Sequence, residues 1–225
     1  MTKKYFSRRN LDFILYEVLD ISSLTGHARF SLHNKETFSL TLDATVNIAE
    51  STMVPAYAES DRNPPQLING TVKVHPLLHA YYKAFCDAGL LSSVFDFSLN
   101  GQQLPRTIYA AADFIVGAAH NGFQMFTALA NAAAKLIASF ASQEHIDLYA
   151  AKILSGKWAA TMCLTETHAG SSLAGINTAA FFQQDGSYKI KGQKIFISAG
   201  DHDITENIVH LVLAKIDGAP KGAKG

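Results

Sequence analysis

Two stretches of the 225-residue chain carry side chains whose types and spacing could hold a flat heteroaromatic ring. The first is Trp158-Ala-Ala-Thr-Met-Cys-Leu-Thr-Glu-Thr-His-Ala-Gly-Ser-Ser-Leu-Ala-Gly175, read as a strand over Thr161 to Thr165 that runs into a small-residue turn. The second is Lys191-Gly-Gln-Lys-Ile-Phe-Ile-Ser198, read as a further strand over Lys194 to Ser198. Side chains alternate across a strand, and residues two apart lie roughly 7 Å apart on one face. Thr161, Cys163 and Thr165 then share a face, opposite Met162, Leu164 and Glu166. Phe196 and Ser198 likewise share a face, opposite Ile195 and Ile197. An aromatic side chain gives a ring a packing surface, and a hydroxyl gives its edge a hydrogen bond. The turn Ala169-Gly-Ser-Ser172 is small enough for backbone amides to approach a phosphate or a ring edge. Residue types alone favour an ordinary β-hairpin protein with a Gly-rich turn, because such turns are common; the order and wording of the motifs change that weighting.

The character of the chain changes near Gly156. Before it the pattern is helical: Phe13, Ile14, Tyr16 and Val18 mark a short amphipathic segment, and Phe38, Leu42, Ala44, Val46, Ala49 and Met53 recur at helical steps between Lys35 and Tyr57. Asp61-Arg-Asn-Pro-Pro65 reads as a loop, because paired prolines cannot continue a helix. Thr71 to Val74 reads as a short extended pair with what precedes it. Pro76 suits the first turn of a helix to Ala88, closed by Gly89. Pro105 opens a helix interrupted around His120-Asn-Gly122 that resumes to Phe140. Ser142 is the N-cap of a helix to Leu154, with Gly156 just past its end. After Gly156 the signals are strands: Lys157 to Thr165, Asn177 to Gln184, a turn at Asp185-Gly-Ser187, Tyr188 to Ile190, Lys194 to Ser198, and Asn207 to Ile216. The expected fold class is α+β, an amino-terminal all-α domain over 1–155 followed by an incomplete antiparallel β domain over 156–225, with exposed sheet edges.

Composition sets the outer bounds. Hydrophobic residues make up 48% and charged residues 17%, with a formal net charge of zero, which suits a globular chain with much helix-on-helix burial or a subunit interface. No general basic field exists to capture nucleic acid, and no acidic partner is implied. The two cysteines, Cys86 and Cys163, have neither disulfide nor metal spacing and read as reduced, buried side chains. The basic start Met1 to Arg9 is followed by Leu11 to Leu19, which Asp12 and Glu17 interrupt, so it is not a signal-peptide core. The apolar run Ile108 to Phe140 is broken by Asp113, His120-Asn121 and Lys135, against a membrane span. The expected location is the cytoplasm.

The motifs resemble those of one family. Met162-Cys-Leu-Thr-Glu, with Ala169-Gly-Ser and Leu173-Ala-Gly175, is similar to the first signature of acyl-CoA dehydrogenases, and Lys191-Gly-Gln-Lys-Ile-Phe-Ile-Ser-Ala-Gly200 to the second. The phrase Asp201-His-Asp-Ile-Thr-Glu-Asn-Ile-Val-His-Leu-Val-Leu-Ala214 resembles a subgroup of large bacterial members that includes those acting on methylthiopropionyl-CoA. The resemblance implies an FAD-dependent oxidoreductase acting on CH–CH groups, with the flavin between a helical domain and a middle β domain. It implies that Met162, Leu164 and Thr165 line the isoalloxazine ring, with Thr165 bonded to its pyrimidine side. Gly170 and Ser171 would lie in the cofactor loop, Ser171 also where flavin meets acyl-CoA. Phe196 would stand where a tryptophan is usual against the ring, Ile197 beside it, and Ser198 in place of a threonine near the reactive nitrogen. Ser172 replaces a frequent aspartate and Thr167-His168 a frequent Pro-Gly, so the shape of the turn departs from the family's. An acyl-CoA substrate, an electron-transfer flavoprotein or similar acceptor, and a homodimer or homotetramer of the full-length enzyme are implied as partners, with no nucleic acid and no membrane.

No catalytic residue is assigned. The resemblance places the proton-abstracting carboxylate in a carboxy-terminal helical domain, so the chain is expected to be an amino-terminal piece that is inactive alone. Glu166 reads as a structural residue beside the loop. His75 and His79 stand four apart without a third ligand, and no metal is expected. His120-Asn121 at a helix break could meet substrate, but a satisfied core histidine is the favoured reading, and Arg8-Arg9 reads as a solvated tip. A different class, a non-catalytic binding or assembly module on the same fold, including a DNA-associated relative, is the competing reading.

Overall fold

A computed structural model describes residues 5–220 and 222. The last residues of the turn-like tail, 221 and 223–225, lie outside the described residues, as do residues 1–4. The helical part comprises α1 (Arg8–Asp12), α2 (Lys35–Ile48), α3 (Val54–Arg62), α4 (Pro76–Asp87), α5 (Arg106–Phe140), α6 (Gln143–His145) and α7 (Ala151–Leu154). A hairpin of β1 (Gln66–Ile68) and β2 (Thr71–Lys73) interrupts it, turning on Asn69 and Gly70 in left-handed conformation.

Each helix begins or ends where the chain supplies the chemistry. Asn34 and Thr37 form a reciprocal capping box at α2. The His75 Nδ1 atom accepts the Leu77 N–H at the start of α4, and Ser142 caps α6. A single buried stripe of Phe38, Leu42, Ala49, Met53 and Ala56 runs from α2 into α3. Between them lies a π-helical turn, Ala49–Met53, and Pro55 follows it. Proline has no N–H to donate one turn back, so a wider turn there keeps the rod continuous. The helix therefore reaches Arg62, past the expected loop start at Asp61. Near the amino terminus a second π turn (Phe13–Val18) rotates the expected apolar face: Leu15 is buried, while Phe13, Ile14 and Val18 are exposed. Arg8 is not a free solvated tip, since it pairs with Asp12 at 2.8 Å and with Asp43 of α2.

Helix α5 is the axis of the core. Its inward face is mostly small and branched: Ile108, Ala112, Ile115, Val116, Ala130, Ala133 and Ala134 are at most 1% exposed. Alanine there lets α2 and the first strand of the β part approach closely. His120 alone breaks the helix, with an extended backbone at φ −163° and ψ 90°. Gln124 donates across the break to Asp113 at 2.6 Å, and buried Tyr81 and Thr127 share a hydrogen bond of 2.7 Å.

The β part begins with β3 (Trp158–Cys163), followed by β4 (Ala179–Phe182), β5 (Tyr188–Lys191), β6 (Asn207–Val212) and β7 (Lys215–Ile216). The helices-then-strands order is as the sequence predicts, but the pairing is mixed rather than antiparallel. Only β4 and β5 pair antiparallel, through the Asp185–Ser187 turn; β3 pairs parallel with β6, and β4 parallel with β7. Parallel neighbours need a long crossover, and residues 164–206 supply it for β3 and β6. The expected strand over 207–216 is divided, its first half on β3 and its last two residues on β4. The expected strand over 194–198 does not form. Phe196 and Ala199 are left-handed at φ 57° and 55°, which no strand accommodates. Edges are open: Phe182, Ile190 and Ile216 are more than half exposed.

Gly156 gives a test of this join between helices and strands. Its φ is +75°, and an added Cβ would lie 2.6 Å from Cys86 Sγ. Gly156→Ala is expected to lower stability by at least about 1–2 kcal/mol from the left-handed backbone alone, read as a lower urea midpoint. Gly26→Ala, where a Cβ meets nothing within 4 Å, is expected to stay within about 0.5 kcal/mol of the parent.

Candidate functional site

The two motif stretches meet at the end of β3. Leu213 N–H continues the β3–β6 pairing by donating to the Cys163 carbonyl at 3.1 Å. Beyond it, Ile195 N–H donates to the Thr165 carbonyl at 3.0 Å, and Lys194 Nζ donates to the Leu164 carbonyl at 2.9 Å. Residues 194–198 are thereby laid alongside residues 164–165 without a strand.

Glu166 organises both. It is 5% exposed, and its carboxylate accepts from Asn177 N–H (2.7 Å), Thr178 N–H (2.9 Å), Thr178 Oγ1 (2.5 Å) and Lys194 Nζ (2.9 Å). Its backbone pairs reciprocally with Ala169, closing the turn whose tip is Thr167-His168. Burial alone would raise the carboxyl's pKa. The Thr178 hydroxyl, the Asn177 amide, the Lys194 ammonium and the Thr178 amide outweigh it and hold the group ionised far below the usual carboxylate range. Three of these bonds fall on Oε1 and one on Oε2, so the carboxylate is held as an ionised anchor rather than as a group poised to take a proton. Gly192 makes this possible: a Cβ there would sit 2.3 Å from Thr178 Oγ1 and 2.7 Å from Thr178 Cα, so only glycine lets the second stretch come close enough for Lys194 to reach.

Around this clamp lie the residues that the sequence singles out. Met162, Leu164 and Thr165 are half-buried at the strand end, and Gly170 lies against the Thr165 methyl. Gly170 and Ser171 are exposed, Ile197 is half-buried, and Ser198 is exposed. Phe196 is 89% exposed in its left-handed conformation. The shared strand face expected for Phe196 and Ser198 is absent, since left-handed Phe196 and Ala199 turn the chain on either side of Ile197-Ser198. Thr161 and Cys163 do share a buried face, and Thr161 Oγ1 lies 2.7 Å from His210 Nδ1 on β6. Lys194 and Thr178 were not legible as site residues, because the contacts that recruit them to Glu166 are distant in sequence.

A cleft of about 630 Å³ opens nearby in the helical part. Tyr57, Val74, Leu78, Phe123 and Phe126 give it apolar walls, and Ser60, Asp61, Arg62, His75, His120 and Asn121 give it polar and charged ones. His120 is a core histidine, as expected, and also lines this cleft. Its Nδ1 accepts the Phe123 N–H at 3.3 Å, so Nε2 carries the proton and faces Ser60 Oγ at 2.8 Å. Burial, reinforced by nearby His75, pulls its pKa below the ordinary histidine value despite an opposing backbone hydrogen bond. His75 is a helix cap and His79 pairs with Asp203 at 3.1 Å. Among the described residues no cluster of three or more His, Cys, Asp or Glu is placed to hold a metal ion. None of the described helices is long and apolar enough to cross a membrane.

An α-helical bundle leading into a small mixed β part, with two motif loops joined at a strand end, is a fold shared with solved flavoenzymes. An acyl-CoA dehydrogenase from Bacillus anthracis, solved with FAD, superposes with a TM-score of 0.66 at 21% identity, over 82% of this chain and 29% of that one. No family model matches. Among curated proteins, 3-methylmercaptopropionyl-CoA dehydrogenase of Ruegeria pomeroyi is 38% identical over 173 residues, 77% of this chain. A butyryl-CoA dehydrogenase of Syntrophomonas wolfei is 32% identical over 98% of this chain. The chain is thus homologous to the acyl-CoA dehydrogenases, and it spans 29% and 37% of the length of these two relatives.

Replacing Glu166 by Gln removes the counter-charge of the Lys194 ammonium, which is left with neutral acceptors such as the Leu164 carbonyl, so Glu166→Gln is expected to cost about 3–5 kcal/mol, against less than about 0.5 kcal/mol for exposed Glu206→Gln. Because the folded pKa is depressed, the clamp's contribution is complete above the carboxyl's ordinary value of 4.5 and is lost as pH falls below it. Urea denaturation should accordingly show the gap between parent and Glu166→Gln narrowing as pH drops from about 6 to about 3. A gap that is constant with pH contradicts the clamp.

Proposed function

We propose that the protein carrying this chain is an FAD-dependent acyl-CoA dehydrogenase that introduces an α,β double bond into an acyl-CoA thioester. The observation that carries the reading is the junction at the end of β3, where one buried carboxylate joins two motif stretches into a single wall. We assign residues 1–155 to a helical domain and 156–225 to the start of a middle β domain. The cytoplasm is the proposed location, and an electron-transfer flavoprotein or similar carrier the proposed acceptor, with a homodimer or homotetramer as the working assembly.

The residues fit a flavin by their chemistry. Met162, Leu164 and Ile197 offer an apolar surface for the isoalloxazine ring, and Phe196, exposed and left-handed, is held ready to cover it. Thr165 and Ser198 supply hydroxyls to its polar edge, and Gly170 with Ser171 gives a small-residue approach. FAD, when bound, supplies the acceptor for the hydride that leaves the β-carbon. Ser171 lies where that ring would meet the acyl-CoA, and the cleft lined by Val74, Leu78, Phe123 and Phe126 receives the acyl chain away from water. Glu166, held ionised as an anchor, is not assigned as the base; following the family resemblance, the α-proton is assigned to a carboxylate outside these residues.

The full-length protein is expected to purify with a yellow chromophore that bleaches on adding acyl-CoA; a colourless, folded protein overturns the reading. Thr165→Ala and Ser198→Ala each delete one neutral hydrogen bond, worth about 0.5–1.5 kcal/mol. Flavin affinity or reduction rate should fall by roughly two- to tenfold in each, while unchanged flavin spectra and reduction kinetics in both would refute the site. Residues 1–225 alone are expected to show no acyl-CoA-dependent dye reduction even with excess FAD. Turnover by them that vanishes in Glu166→Gln would make Glu166 the base.

A further inference from the structure

The phrase Asp201-His202-Asp203 takes no part in the wall at β3, yet it follows that wall directly and reaches back to the helices. The Asp203 carboxylate gathers three donors from the helical part: Val74 N–H at 3.2 Å, His79 Nε2 at 3.1 Å and Lys73 Nζ at 3.2 Å. Only a carboxylate, which accepts at both oxygens and donates at neither, can serve an amide, an imidazole and an ammonium together. His202 beside it is 4% exposed. Its Nδ1 accepts the Ile204 N–H at 3.2 Å, so the proton sits on Nε2, which has no partner among the described residues. The imidazole is thus held by its backbone and its packing, with its centroid 5.3 Å from that of Phe126.

Val74 and Phe126 are both walls of the cleft. One short loop therefore grips two cleft walls, Val74 through Asp203 and Phe126 through His202. The same loop continues directly from Ser198-Ala-Gly200, the end of the second motif stretch, and so connects the cleft to the wall at β3. We infer that Asp203 is a positioning residue that sets the width of the acyl cleft and its placement against the β3 wall, with His202 as the backing of Phe126. This rests on the reading of the cleft as the acyl site. Release of Asp203 frees Val74 and the β1–β2 hairpin, widening the cleft. A short acyl chain then loses its fit, while a longer one still fills the space.

The test compares the full-length enzyme with Asp203→Asn and Lys73→Met, the latter at a half-exposed lysine that leaves the other two donors in place. Steady-state dye reduction gives kcat and KM for butyryl-CoA and octanoyl-CoA. Titration with a non-reacting butyryl-CoA thioether, followed by the flavin band, gives a dissociation constant independent of turnover. In Asp203→Asn, KM and the thioether dissociation constant for the four-carbon chain should rise about tenfold with kcat held within about twofold, and the eight-carbon KM should rise less than about threefold. Lys73→Met should shift the same ratio in the same direction by about threefold, which keeps the proposal open to refutation if Asp203→Asn does not fold. Equal effects on both chain lengths, or a lower Tm with no change in the KM ratio, would make Asp203 a structural tie only and overturn the proposal. Parent enzyme that is reduced by neither thioester overturns the reading of the cleft, and the proposal with it.

Discussion

The arrangement depends on one buried carboxylate. Glu166 sits just past the end of β3, where a chain without a partner strand would be free to wander. Four hydrogen bonds to it, from Asn177, Thr178 and Lys194, tie three separate stretches to one point. A buried charge is costly unless paired and fully bonded, and this one is both. The loop at 166–175 and the stretch at 192–198 take their shapes from that requirement. So does the need for Gly192, whose missing side chain makes room for Thr178. Glu166, read from the sequence as a structural residue beside the loop, is the point to which both motif stretches are tied.

The helical part was readable because its punctuation is local. Pro76, Gly89, Ser142 and Gly156 act on the residues beside them, and each falls at or next to a helix end. The break at His120 was signalled by His-Asn-Gly inside an alanine-rich run, although its use as a cleft wall depends on Ser60, far off in sequence. The β part was less readable because pairing is non-local. Nothing in the residues near 160 announces a parallel neighbour near 210, and alternation alone cannot distinguish a strand from the left-handed path through Phe196 and Ala199. The motif residues were identifiable by type, but the contacts that assemble them, Lys194 with Glu166 and Asp203 with Val74, link positions 28 and 129 apart.

A consequence is a division between rigid and exposed groups. Glu166 and Thr178 are buried and bonded to one another, whereas Phe196, Ser198 and Ser171 are exposed. That is the arrangement expected of a ligand wall: side chains that meet a ligand are supported from behind rather than occupied by one another. The helices supply the second wall through α5, whose alanine face brings the β part close and whose break opens the cleft.

The central claim, that the two motif stretches form one flavin-facing wall, is tested most directly by a crystal structure of the full-length protein with FAD. The account places the isoalloxazine ring against Met162 and Leu164, with the Thr165 and Ser198 hydroxyls within about 2.5–3.2 Å of ring oxygen or nitrogen atoms and Glu166 still bonded to Lys194. A ring bound elsewhere, or one reached by only one of the two stretches, would contradict it.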